Sequence, residues 1–201
     1  MITLEIEGIP LRLNTAPALF SPSALDAGTR AMLSCVSFSP GDKVLDLGCG
    51  YGVVGIYAAK RIGAASVTML DISGTAVALA ERNAALNGVP GIRCVHSDGF
   101  AALDDAGYTL ILSNPPYHTD FHVAKTFIEK GFNRLAMGGK MLMVTKRRDW
   151  YRNRFIAIFG GVSIQEVDGY LVFIAEKRSP AYAAAKPRAK RSREEGRHPD
   201  A

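Results

Sequence analysis

Cysteine is scarce in this 201-residue chain: Cys35, Cys49 and Cys94 stand far apart, odd in number and without a CxxC pair. That pattern argues against both a disulfide framework and a zinc site, and reduced thiols are expected. No apolar run reaches the length of a membrane span, and residues 1–7 mix acids with aliphatics without a cationic flank. Neither a signal peptide nor a membrane segment is therefore expected, and the cytoplasm is the default location. Internal repeats are also absent. What remains is 48% hydrophobic content with a mean hydropathy of +0.07, which suits one soluble domain with a substantial core.

The net charge of +5 is confined to one end. From Lys177 onward eight basic residues (Lys177, Arg178, Lys186, Arg188, Lys190, Arg191, Arg193, Arg197) face three acidic ones (Glu194, Glu195, Asp200), and the preceding residues carry 16 of each sign. A tail of Lys, Arg, Ala and Pro without apolar periodicity is expected to be disordered and to resemble a polyanion-binding arm. A solubilising terminus with no partner is the alternative.

Between the ends the pattern alternates. A β-prone start (2–7 and 11–13) and a helical stretch from about Pro22 to Val36 precede strands at 43–47, 66–71, 92–96, 108–112, 140–145, 162–167 and 170–176. Helices are expected near 53–61, 73–86, 122–135 and 150–159. This βαβα order predicts an α/β fold, a Rossmann-like and mostly parallel seven-stranded sheet with helices on both faces. The last two strands are separated only by Asp168-Gly169, a two-residue turn signal that makes the sheet end in an antiparallel hairpin. Residues 1–40 read as an N-terminal extension and leading helix, 41–177 as the core, and 178–201 as the basic tail.

The most informative segment is Ser113-Asn114-Pro115-Pro116-Tyr117-His118. It follows an apolar strand with two prolines that cannot donate to a ladder, so the chain must leave the sheet there. Asn114, preceding a proline, is steered to an extended conformation and can project its carboxamide from the strand's carboxyl end, where open α/β sheets bind ligands. An amide oxygen and the Pro115 carbonyl make two fixed acceptors suited to a planar amino group, and Tyr117 can stack on a flat substrate. The bland alternative is a Pro-Pro turn whose Asn caps a neighbouring backbone group.

A second segment, Asp46-Leu47-Gly48-Cys49-Gly50-Tyr51-Gly52, follows the first core strand and opens a helix, so its glycines allow a tight turn and close backbone approach to a ligand. Cys49 reads as a small residue of this loop, not a nucleophile. Asp71 ends the next strand, where a carboxylate can accept from both hydroxyls of a ribose. Gly50-x-Gly52-x-x-Gly55 also satisfies the dinucleotide fingerprint, in which a helix N-terminus holds a pyrophosphate. Asp46 weighs against that reading, because it adds negative charge beside a pyrophosphate while favouring a cationic ammonium. Asp98, in Ser97-Asp98-Gly99 after the third core strand, adds a carboxylate where an adenine amino group can donate.

In this order, DLGCGYG, Asp71, Asp98 and NPPY resemble the class I S-adenosylmethionine-dependent methyltransferases, of the small-domain type. The resemblance implies Gly48 and Gly50 against the methionine half of S-adenosyl-L-methionine, Asp71 on its ribose, Asp98 on its adenine, and Asn114 in the transfer site. The candidate cofactor-binding residues are Asp46, Gly48, Cys49, Gly50, Asp71, Ile72, Asp98, Gly99 and Asn114. More narrowly, Leu19-Phe20-Ser21, the Leu25-Asp26-x-Gly28-Thr29 element and His118 are similar to the bacterial rRNA guanine-N2 methyltransferases, although Tyr117 stands where Phe is associated with that group. Those enzymes often carry a second, degenerate domain ahead of the catalytic one, for which this chain has no room.

The expected chemistry is methyl transfer to an exocyclic amine, most simply guanine N2 of ribosomal RNA, with ribosomal RNA or a ribosomal subunit as partner and no metal. Asn114 and Pro115 would accept the two amine hydrogens, turning the nitrogen lone pair toward the methyl group, and Tyr117 would stack on a base that is unpaired or flipped. Asn114, Pro115 and Tyr117 are thus the catalytic candidates; Pro116, Tyr117, His118, Lys146 and Arg147 are the substrate-binding ones. Asp26 and Thr29 either edge the cofactor pocket or sit on a helix surface, and Trp150 is expected in the core. Two other functions fit parts of the pattern. A protein glutamine-N5 methyltransferase also uses NPPY, but the helical N-terminal substrate domain of that family is missing here. A non-catalytic RNA-binding assembly factor could retain the same fold.

Overall fold

The computed structural model of the protein describes residues 1–16, 25–115 and 121–183. The chain opens with a hairpin of β1 (Ile2–Ile6) and β2 (Ile9–Leu13). Its turn, Glu7-Gly8, has φ of 47° and 78°, the two positive values that a tight two-residue hairpin turn requires. Glu7 is not a glycine, and its carboxylate is tied down, accepting from the Tyr57 hydroxyl at 2.8 Å and pairing with Arg61. Leu11 and Leu13 point into the core while Arg12 between them faces out, the period of a half-buried strand.

Seven further strands make one sheet: β3 (Val44–Leu47), β4 (Val67–Asp71), β5 (Arg93–His96), β6 (Tyr108–Ser113), β7 (Leu135–Thr145), β8 (Ser163–Val167) and β9 (Tyr170–Glu176). Their order is β5-β4-β3-β6-β7-β9-β8. The first five in that order run parallel, and β9 is antiparallel to both β7 and β8. The turn between β8 and β9 is Asp168-Gly169 with φ of 50° and 75°, as its sequence demands. The expected fold class therefore holds, closing hairpin included.

Among the described residues five α-helices, α1 (Ala27–Leu33), α2 (Val53–Ile62), α3 (Gly74–Leu86), α4 (Phe121–Arg134) and α5 (Asp149–Phe159), cover the two faces. Adjacent strand residues serve opposite cores. Val44, Met69, Leu110 and Leu112 pack with α1, α2, α3 and the N-terminal hairpin, whereas Leu45, Leu70 and Ile111 pack with α4 and α5. Burial on both faces is why the central strands read as unbroken apolar runs. Helix α2 lies so close to the sheet that a Cβ on Gly55 would come 2.3 Å from Met69 Cγ, so that glycine is needed for helix–sheet packing.

Three details depart from the expected boundaries. Helix α1 starts at Ala27, five residues after the expected Pro22, because Asp26 is an extended N-cap whose side chain accepts from Thr29 N. Residues 17–24, with Leu19-Phe20-Ser21, lie outside the described residues. Strand β7 begins at Leu135 instead of residue 140; Gly138 at φ 78° and the close fit of Gly139, whose Cβ would sit 2.7 Å from Tyr108 O, let it bulge and continue. Past β9 the chain returns along α4, where Tyr182 OH donates to Glu129 O at 2.9 Å and Tyr182 meets Phe132 edge-on. The rest of the expected tail, residues 184–201, lies outside the described residues.

Candidate active site

The strand order places the functional edge. From β3 the chain crosses through α2 to β4 on one side, while β6 lies on the other, and the crevice of such a switch point opens at the carboxyl ends of the strands. A cavity of about 460 Å³ lies there. The ends of β3 and β6 are joined by the buried Ser113 hydroxyl, which donates to Leu47 O at 2.8 Å.

The wall after β3 is made of backbone. Gly48, Gly50 and Gly52 all have positive φ (78°, 54° and 94°), and the N–H groups of Gly48 and Cys49 both reach Leu70 O at 2.9 Å. Cys49 is buried, and burial pushes its thiol well above the ordinary value, which suits a small wall residue and not a nucleophile. The loop is braced from behind by fully buried Asn83, whose amide donates to Tyr51 O and to Asn14 O and accepts from Asn14 N. That helix residue, set among alanines, was not singled out from the sequence.

Four carboxylates line the cavity: Asp26, Asp46, Asp71 and Asp98. Asp46 accepts from Gly55 N at 2.8 Å, and burial raises its carboxyl to about 7, with Asp71 adding to the rise and the Gly55 hydrogen bond opposing it. Asp71 is aimed by two backbone donors, Gly50 N on one oxygen and Ser73 N on the other, each at 2.9 Å. Beside it Ile72 is 65% exposed, an apolar surface at the mouth. Asp98 and Gly99 follow β5, and Val123 and Phe127 of α4 supply an apolar side that no sequence motif marks.

The last wall is Asn114 with Pro115. The Asn114 amide nitrogen donates to Asp26 Oδ2 at 2.7 Å and to Thr29 Oγ1 at 2.9 Å. Of the two readings of Asp26 and Thr29, the structure shows the pocket-edge one, since both line the cavity.

All nine candidate cofactor residues, and Pro115, thus converge on one cavity. Lys146 and Arg147 do not line it. They follow β7, with Lys146 Nζ 4.6 Å from the Tyr170 ring centre and the Arg147 guanidinium 4.9 Å from that of Phe121. Phe121 in turn stacks on Trp150 at 4.4 Å, and Trp150, expected in the core, is only partly buried. Pro116, Tyr117 and His118 lie outside the described residues. Among the described residues no cluster of three or more His, Cys, Asp or Glu could hold a metal, and no helix is long and apolar enough to cross a membrane.

The donor set can be tested against the two nucleotide classes. Among the described residues, none of those lining the cavity is basic. One of the first-turn N–H groups of α2, that of Gly55, is committed to Asp46, which places a carboxylate at the helix N-terminus where a phosphate would sit. A pyrophosphate has no counter-charge here, so the dinucleotide reading does not fit. An adenosyl ligand carrying a sulfonium and an ammonium does fit, with acids for its cations and hydroxyls and Ile72 for its ring.

Strand order, closing hairpin and acidic glycine-walled cavity together define the class I methyltransferase fold. The chain belongs to the methyltransferase small domain family, which matches residues 10–174. It is 33% identical over 179 residues to a Pseudomonas putida ribosomal RNA small subunit methyltransferase C, covering 87% of this chain and 53% of that protein. It is 39% identical over 142 residues to the Haemophilus ducreyi protein of the same name, covering 67% and 42%. Among solved structures, a Thermus thermophilus 16S rRNA N2 methyltransferase in complex with AdoMet and guanosine superimposes with a TM-score of 0.82 at 26% identity, over 88% of this chain and 50% of that one. The chain spans about half the length of the curated relatives it matches.

Proposed function

We propose that this chain is an S-adenosylmethionine-dependent N-methyltransferase acting on an exocyclic amine, guanine N2 of small-subunit ribosomal RNA. The observation that carries the reading is the meeting of two unlike groups at one cavity: four carboxylates with no basic residue among the described lining residues, and the Asn114-Pro115 pair. Bound S-adenosylmethionine supplies a methyl group on a sulfonium, already activated for displacement by a nitrogen lone pair. The protein's part is alignment. Asp46 and the Gly48–Gly50 loop would hold the methionine end, Asp71 the ribose, Asp98 with Gly99 and Ile72 the adenine.

Asn114 Oδ1 and Pro115 O would accept the two hydrogens of the amine. That takes its lone pair out of conjugation and stabilises the positive charge that grows on nitrogen during transfer; the proton then leaves to solvent. Tyr117 and Pro116 would pack on the base, His118 would reach the nucleotide, and Lys146 and Arg147 would meet backbone phosphates at the rim. The core of residues 41–177 would hold this chemistry, with residues 178–201 as a phosphate-binding arm. The names of the Pseudomonas putida and Haemophilus ducreyi relatives, and the guanosine bound in the Thermus thermophilus structure, support the choice of substrate.

The test is transfer of labelled methyl to naked rRNA, small subunits, large subunits and release-factor protein in parallel, followed by nucleoside analysis. Label in N2-methylguanosine of small-subunit RNA is the expected result. Label confined to protein would replace this reading with glutamine methylation, and cofactor binding with no transfer to any of the four would leave a binding role.

A further inference from the structure

Resting on the assignment of Asn114 as the group that receives the amine, we propose that Asp26 and Thr29 are positioning residues for methyl transfer, which fix the Asn114 carboxamide so that its oxygen is the acceptor offered to the substrate. A carboxamide is nearly two-fold symmetric in shape, and rotation of its last torsion exchanges an acceptor for a double donor. Turned the wrong way, Asn114 would present N–H groups to the N–H groups of the target amine.

The structure removes that ambiguity. A carboxylate oxygen can only accept, so the Asn114 atom 2.7 Å from Asp26 Oδ2 must be the nitrogen. Thr29 Oγ1 accepts from the same nitrogen at 2.9 Å. With the nitrogen held from the α1 side, the oxygen occupies the other branch of the amide. The negative charge behind the N–H group also polarises the amide toward its oxygen, which strengthens it as an acceptor for a nitrogen gaining positive charge.

Both anchors are themselves held. Asp26 is the N-cap of α1 and accepts from Thr29 N at 2.8 Å through the same Oδ2, while Thr29 is 8% exposed and α1 packs on β7 and β9. The helix that precedes the core is therefore part of the transfer site, and it reaches Asn114 from 85 and 88 residues away in sequence.

The test is a set of variants read by methyl-transfer kinetics and by S-adenosylmethionine binding. Thr29→Val removes the acceptor but keeps the volume and the backbone donor to Asp26; it should lower kcat by about tenfold or more with KM and cofactor affinity little changed, the loss expected when a reacting group is misoriented. Thr29→Ser, which restores the hydroxyl, should recover most of the rate. Asp26→Asn retains the cap, because Asn caps helices as well as Asp, but loses the charge and should fall between wild type and Asp26→Ala. In an Asn114→Ala background Thr29→Val should cost nothing further, whereas a merely structural role would add its loss in full. Wild-type kcat in Thr29→Val and Asp26→Ala, or additive losses with Asn114→Ala, would overturn the proposal while leaving the role of Asn114 standing. Unchanged transfer in Asn114→Ala alone would overturn the underlying assignment instead.

Discussion

Two loops wall the same cavity, and they are held in opposite ways. The loop after β3 is held mainly through backbone: its glycines turn the chain, its N–H groups reach Leu70 O, Asp46 and Asp71 take backbone donors 9 and 21 residues away, and Asn83 braces Tyr51 O from behind. After β6, Asn114 is fixed by side chains of a helix 85 and 88 residues earlier. On the proposed roles, the ligand-holding wall is built largely from backbone contacts, whereas the transfer group is held by side chains from a distant helix, and a change in one wall should leave the other working.

The largest effect expected from that division is in Asn114→Ala. Methyl transfer should fall by about a hundredfold or more, as when a preorganised charge-stabilising group is lost, with S-adenosylmethionine affinity nearly intact by titration. Equal losses in both would erase the distinction between the walls. Next is Asp71→Ala, which should weaken S-adenosylmethionine binding by about tenfold to a hundredfold, the worth of hydrogen bonds to a charged group. Saturating cofactor should restore much of its kcat, the reverse of the Asn114 pattern.

Smaller is the pH response of Asp46. Its carboxyl titrates near 7 in the folded protein, above its ordinary 3.8, so between those values the folded state holds a proton that the unfolded chain has released. Stability of the ligand-free protein should therefore decline as pH rises through that window and level off above it, and Asp46→Asn should flatten the slope. An ammonium prefers the ionised form, so affinity for S-adenosylmethionine should rise by about tenfold between pH 5.5 and 7 in wild type and not in Asp46→Asn. A parallel rise in the variant would remove Asp46 from the ammonium's surroundings. Least is Gly88→Ala, just past the end of α3 that points away from the cavity: with φ at 76° and open space around an added Cβ it should cost about 1 kcal/mol in denaturant unfolding and leave both binding and transfer unchanged.

The same contrast explains what could be read from the sequence. The glycine loop, Asp71, Asp98 and the Asp168-Gly169 hairpin are legible because each is marked where it stands, by glycines at positive φ or by an acid at or just past a strand's carboxyl end. Asn114 is legible by its prolines, and Asp26 and Thr29 as possible edges of the pocket, but that they hold Asn114 is not, because the contact exists only once the fold brings α1 against Asn114. Asn83 is hidden for the same reason: a polar residue among helix alanines shows its use only when Asn14 and Tyr51 lie against it. The early start of β7 is hidden because two adjacent glycines weaken a strand pattern, whereas Gly138-Gly139 here accompany a bulge.

The most direct test of the central claim, an acidic cavity built for an adenosyl cation and not for a dinucleotide, is calorimetric titration of the protein with S-adenosylmethionine, S-adenosylhomocysteine and NADH. One-to-one saturable binding of both adenosyl ligands, with no heat from NADH, is the predicted result. Saturable NADH binding that S-adenosylmethionine cannot displace would contradict it.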